Sequence, residues 1–162
     1  MSSTATKLQE VDPSAPGNII RAALAFESFL TIGSGVYCIS FPRRYLLQTM
    51  GAAAAQATTT AIQSTQQYGA MSVLIGAGVA FFIPNTKNVI ESRQTLYIAL
   101  LGWEVLFVPL LAWQAFEMEG GMSNSSLLAL AGQFVPVILW RAFTLSWKPQ
   151  WFGRCREERK VK

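Results

Sequence analysis

Four long apolar stretches, separated by short polar ones, set the pattern of this chain. They run from about Ile19 to Phe41, Thr65 to Ile83, Thr95 to Phe116 and Ser125 to Trp147. Each approaches the roughly 20 residues that a helix needs to cross a hydrocarbon layer about 30 Å thick. A helix in a water-soluble bundle keeps one polar face, whereas "MSVLIGAGVAFFI", residues 71–83, is apolar all round. In lipid the helix is the expected solution, because it satisfies its own backbone hydrogen bonds. Pro42, Pro84 and Pro149 stand where helices should stop, since proline lacks an amide proton and disfavours helix in the residue before it. The pattern predicts an all-α fold. Its core is a four-transmembrane-helix bundle over residues 18–149, with spans at about 19–41, 65–83, 95–116 and 125–147. A polar tail, residues 1–17, is expected to be disordered, and residues 150–162 form a basic tail.

The first apolar run exceeds the 7–15 residue core of a cleavable signal peptide, and no small-x-small site follows it, so it reads as a retained anchor. Between the first two spans, "RRYLLQTMGAAAAQATTTAIQSTQQ" is too polar to cross. It predicts a short interfacial helix around Tyr45 to Met50, then a lead-in that extends the second helix beyond the membrane. A re-entrant element made with the first helix is the alternative.

Polar residues inside the spans follow helical spacing. Glu27, Thr31, Ser34 and Cys38 share a face of the first helix. The second offers Gln66, Gly69, Ser72, Gly76 and Ala80, a small-residue stripe that permits close helix approach. The third places Tyr97 two turns from Glu104, and the fourth carries Gln133, Arg141, Thr144 and Lys148. Counting about 1.5 Å per residue from the cytosolic ends, Arg141 lies roughly 9 Å deep, Glu27 roughly 12 Å and Glu104 roughly 14 Å. All three therefore fall in one half of the bilayer. Arg141 can pair with either carboxylate, but one cation cannot neutralise two, so the unmatched glutamate is expected to carry a proton. Pro109 and Pro136 lie inside the third and fourth helices, where each should free a carbonyl four residues earlier, at Val105 and Gly132, and bend the helix.

Composition agrees with the pattern. Hydrophobic residues make up 51% of the 162 and charged residues 14%, against about 25% charged in soluble domains; mean hydropathy is +0.31. The net charge of +4 does not read as a nucleic-acid footprint, which clusters with groove-reading or stacking elements; here the basic residues flank the spans. The absence of histidine excludes histidine metal sites, Ser-His and Cys-His pairs and histidine-ligated haem. No cofactor and no metal is expected. With four spans, one side collects Lys7, Arg21, Lys87, Arg93, Lys148, Arg154, Arg156, Arg159, Lys160 and Lys162, and the other only Arg43 and Arg44. The positive-inside rule then puts both termini in the cytosol, and Trp147 and Trp151 stand at the level of an aromatic belt.

Several short motifs bear on processing. Asn124 opens an "NSS" glycosylation sequon on the non-cytosolic side, directly against the fourth span. Two cysteines are too few for a disulfide framework; Cys38 and Cys155 fall on opposite sides, and Cys155, juxtamembrane among arginines, is a palmitoylation candidate. The final "RKVK" resembles a dilysine-type retrieval signal, with Lys160 third from the end, and favours the endoplasmic reticulum. Basic charge directed at anionic lipid explains the same residues.

The first two spans resemble those of small DoxX-like four-helix membrane proteins. There a first helix ends in a proline-bearing turn, as in "ISFPRRYLLQTMG", and a second opens on a Tyr-Gly element followed by glycines, as in "QQYGAMSVLIGAGVAFF". Gln66 and Gln67 stand where members often carry a basic residue. The resemblance implies architecture and no particular chemistry.

Three functional readings stay open. One is an accessory or scaffold protein, in lipid or terpenoid metabolism, whose polar centre is structural; a membrane-protein partner or a second copy would accompany it. The next is a membrane isomerase or cyclase acting on a lipophilic small molecule, with Glu27 or Glu104 as acid and Arg141 orienting it. The last is a subunit of a proton-coupled transporter that uses the same residues as a relay.

Overall fold

Local chemistry starts and stops each helix. Gly17 enters the first helix, α1 (Asn18–Ser40), with φ of +70°, a left-handed conformation that glycine adopts without penalty. Phe41 ends it, and Pro42 opens a short helical run, Pro42–Arg44 followed by a π-helical turn, Tyr45–Thr49. Thr58 caps α2 (Thr59–Ala80), its hydroxyl accepting from the Ala61 amide at 3.2 Å. Ser123 does the same for α4 (Asn124–Trp147), accepting from Ser126 at 3.2 Å. Between them, α3 (Lys87–Glu117) runs 31 residues straight through Pro109, as α4 does through Pro136. The computed structural model describes residues 12, 16–117 and 121–154 and shows no strand among them. Residues 1–11, Cys155 and the "RKVK" end lie outside the described residues.

Three helices, α1, α3 and α4, are long and apolar enough to cross a membrane. The exception is α2. It is 22 residues long, but its first turns carry Thr59, Thr60, Gln63, Ser64, Thr65, Gln66 and Gln67. Its boundaries also differ from expectation. It begins six residues before Thr65, where Thr58 supplies the cap, and ends at Ala80 instead of Ile83. Over Phe81–Ile83 the amides turn to carbonyls three residues back, those of Gly78, Val79 and Ala80. The expected helix around Tyr45 to Met50 is present as the π-helical turn.

The chain forms two antiparallel pairs. In the α1–α2 pair, Ser28 Oγ donates to the Gly76 carbonyl at 2.8 Å, and Gly35 meets Gly69 backbone to backbone. The α3–α4 pair is stitched by rings: Trp103 stacks on Phe107 at 4.7 Å, and Phe134 meets both edge-on. Two apolar clusters join the pairs. One unites Ile20, Leu24, Val79, Tyr97 and Phe152; the other packs Met50 of the connection against Leu111, Ala115, Leu127 and Ala131.

Exposure runs opposite to that of a water-soluble protein. The two largest fully buried side chains are Arg93 and Arg141, while Phe29 is 73% exposed and Leu106 77%. Soluble proteins almost never bury arginine fully unless it is paired.

Candidate functional site: a buried Arg-Glu-Glu cluster

Arg141 sits within two turns of the end of α4, and α3 and α4 carry the heart of the site. Glu104 and Arg141 are both buried, at 2% and 1% exposure. Arg141 Nε donates to both Glu104 oxygens, at 3.0 and 3.1 Å. Its Nη2 reaches across to Glu27 Oε1 of α1 at 2.5 Å. The Tyr97 ring covers the guanidinium, with the cation 4.9 Å from its centroid. Charge-assisted bonds of this kind are the strong ones, and a cation held against an aromatic face gains further. The three ionisable residues singled out by sequence therefore meet in one cluster, with Tyr97 as its lid. The two carboxylates differ in setting: the Glu104 side chain is 3% exposed and the Glu27 side chain 27%.

Other members of the predicted faces lie elsewhere. Gln133 is exposed. Eight residues separate it from Arg141, and at 3.6 residues per turn they rotate about 80° around the axis. Ser34 is also exposed; its hydroxyl donates to the Thr31 carbonyl at 3.0 Å, which lets it face outward without an unmet bond. Ser28 and Gly35 take the buried positions on α1 instead, because small groups allow α2 to approach. Of the expected α2 stripe, Gly69, Ser72 and Gly76 are buried, whereas Gln66 is exposed and Ala80 half-buried; Thr65 and Val79 take the buried positions at either end. Asn124 occupies the first turn of α4 and is exposed. Cys38 is buried, with its thiol free.

Arg93 was read from sequence as a flanking charge, yet it is fully buried. It ties one end of the bundle together. Nε donates to the Phe82 carbonyl at 2.9 Å, Nη1 to Phe152 at 3.0 Å, and Nη2 to Ile83, Pro84 and the Asn85 side chain at 2.8–3.0 Å. Arg21 adds a bond from Nε to the same Ile83 carbonyl at 2.9 Å. The carbonyls of Phe82, Ile83 and Pro84 stand past the last turn of α2, where no helical amide follows to take them. A signal was available: Ile90, Tyr97, Glu104 and Leu111 recur every seven residues, and Arg93 falls one turn before Tyr97 on that seam. Beside the cluster, the Trp140 indole N–H is buried next to Tyr97, with no acceptor in close hydrogen-bond geometry among the described residues.

Chemically, the Arg141 cluster holds groups in place. Both oxygens of Glu104 face one donor. The cavity that the helices leave between them is walled by Tyr45, Met50, Tyr68, Leu111 and their neighbours, with none of Glu27, Glu104 or Arg141 on its lining. No family model, curated protein or solved structure matches this chain.

Proposed function

We propose that this chain is a four-span integral membrane protein of an internal membrane, with both termini cytosolic and an accessory or scaffold role, and that the Glu27–Arg141–Glu104 cluster is its structural lock. The inverted burial carries the reading: charged side chains lie inside, and phenylalanine, leucine and tryptophan lie outside. In lipid that arrangement is favourable, because a charge facing acyl chains is costly while an apolar ring is not. As the fourth span, α2 is supported by its glycine-mediated packing along α1, with Gly69, Ser72 and Gly76 buried, while its polar first turns stay exposed and extend past the span. At about 1.5 Å per residue, α3 is long enough to cross and to project its first two turns, with Arg93, beyond the hydrocarbon. The DoxX-like likeness enters this proposal as architecture alone.

The scaffold reading ranks above the enzymatic one because the candidate acids already bind Arg141 and lie apart from the cavity. A substitution cycle tests it. Arg141→Met strands two carboxylates and should destabilise the protein by about 3–5 kcal/mol, the usual effect of breaking a buried pair. Adding Glu104→Gln should restore much of that loss. Unchanged stability in Arg141→Met refutes the lock, and so does a Glu104→Gln variant that folds normally but loses turnover of a lipophilic substrate. Retention in the membrane pellet after alkaline carbonate washing is expected; release into the supernatant refutes the spanning topology.

A further inference from the structure

At the end of the bundle opposite Arg93, the helices leave a partly open cleft of about 360 Å³ between them. Four elements wall it: the π-helical turn, the first turns of α2, the second half of α3 and the start of α4. A concave space of this size between helices is a common place for a small molecule to bind. Binding sites for small molecules occupy about 300–1,000 Å³ and combine apolar walls with a few placed polar groups. Here Leu46, Met50 and Leu111 supply the apolar wall, and Tyr45, Tyr68, Ser64 and Gln114 the polar groups.

The two tyrosines set the chemistry. Both phenols line the space, and the Ser72 side chain is a hydrogen-bonding neighbour of Tyr68. Tyr68 is 46% exposed and stands at the rim, while Tyr45 is deeper. Burial pushes the Tyr45 phenol up, and the nearby Tyr68 phenol and Cys38 thiol add to the shift. The Tyr45 hydroxyl therefore remains a protonated donor. Size sets the rest: a dry 150 Å³ cavity accommodates benzene, so 360 Å³ corresponds to roughly 15 carbons. No charged side chain lines the space, which disfavours an ionic ligand.

We propose that this cavity binds an uncharged, chain-like lipophile of about 15 carbons bearing one oxygen acceptor, held by the hydroxyls of Tyr45 and Tyr68. A free long-chain alcohol or ketone and an ester-linked acyl chain of a bilayer lipid share that chemistry. The inference is independent of the scaffold reading, since it uses no residue of the Arg141 cluster.

The test uses the full chain in phosphatidylcholine nanodiscs, irradiated with a diazirine-bearing C14 alcohol, with the labelled residues mapped by mass spectrometry. Labelling should concentrate on Met50, Leu111 and Met122. Tyr45→Phe and Tyr68→Phe should each weaken capture about three- to tenfold, the effect of one lost hydrogen bond. Ser64→Phe fills the space from an exposed position and should abolish labelling while leaving thermal stability near wild type. Competition identifies the source. Displacement by unlabelled tetradecanol alone assigns a free lipophile, and equal displacement by added short-chain phosphatidylcholine assigns a lipid tail. Labels spread over lipid-facing residues such as Phe29 and Leu106, capture that persists in Ser64→Phe, or indifference to both Tyr→Phe changes would each overturn the proposal.

Discussion

Substituting Gly35 by alanine tests the packing of α1 on α2 most directly. A Cβ placed there comes within 2.6 Å of the Gly69 carbonyl oxygen and 2.9 Å of the Val73 amide nitrogen. Ordinary contact begins at 3.4 Å, so the new methyl group is about 0.8 Å too close to backbone that no rotamer change can move. The helices must part. A separation of that size would stretch the Ser28–Gly76 bond from 2.8 Å to about 3.6 Å, where it ceases to be a hydrogen bond. Overpacking of this kind typically destabilises by about 1–3 kcal/mol, and Gly69→Ala, with its Cβ 2.7 Å from the Gly35 oxygen, should behave alike. Gly33 and Gly78 have nothing within 4 Å of a new Cβ. There alanine should stabilise by up to about 1 kcal/mol through helix propensity. Thermal unfolding of the four purified variants in one detergent decides the matter, because the expected shifts differ in sign. Gly35→Ala melting at or above wild type, or Gly78→Ala falling as far as Gly35→Ala, refutes the reasoning.

Three further outcomes follow from the charged interior. Glu104→Gln should lower the melting temperature more than Glu27→Gln, because Glu104 is enclosed and accepts two bonds from Arg141, whereas Glu27 is a quarter exposed and accepts one; the reverse ranking in a thermal-shift assay counts against the geometry. Arg93→Lys should destabilise clearly, since an ammonium cannot reproduce a planar fork over carbonyls on three sides and each bond to a charged group contributes about 1.5–3 kcal/mol. Arg21→Lys should have a smaller effect in the same assay, as Arg21 is only partly buried and gives a single bond to Ile83.

Much of this architecture is legible in the sequence, for identifiable reasons. Apolar run length located α1 and α4 to within a residue, because hydrophobicity there coincides with helix. Run length falls short at α2, where Thr58 sets the start by capping and a polar lead-in masks two helical turns, and at α3, which begins at Lys87, eight residues before Thr95, in a polar stretch. Long-range pairing of Glu27, Glu104 and Arg141 was inferable from depth alone, since a charge inside a bundle has few places to go. Face assignments were less secure: a difference of one position in α1 decides between Glu27–Ser34 and Ser28–Gly35, and only close approach to Gly69 and Gly76 selects the second. Arg93 was missed because flanking position suggests solvation, and nothing local discloses the carbonyls of Phe82, Ile83 and Phe152. The cavity was not legible at all. Its wall draws on four elements far apart in the chain, and a void has no residue of its own.

The reach of Arg93 also has a bearing on biogenesis. Its bond to the Phe152 carbonyl joins residues 59 positions apart, so it closes only after the ribosome has delivered the last helix and the turn that follows. Until then the nascent chain carries two helical hairpins without their common clasp. A polypeptide ending before Phe152 would lack that bond, while the bonds from Arg93 to Phe82, Ile83, Pro84 and Asn85 could already form.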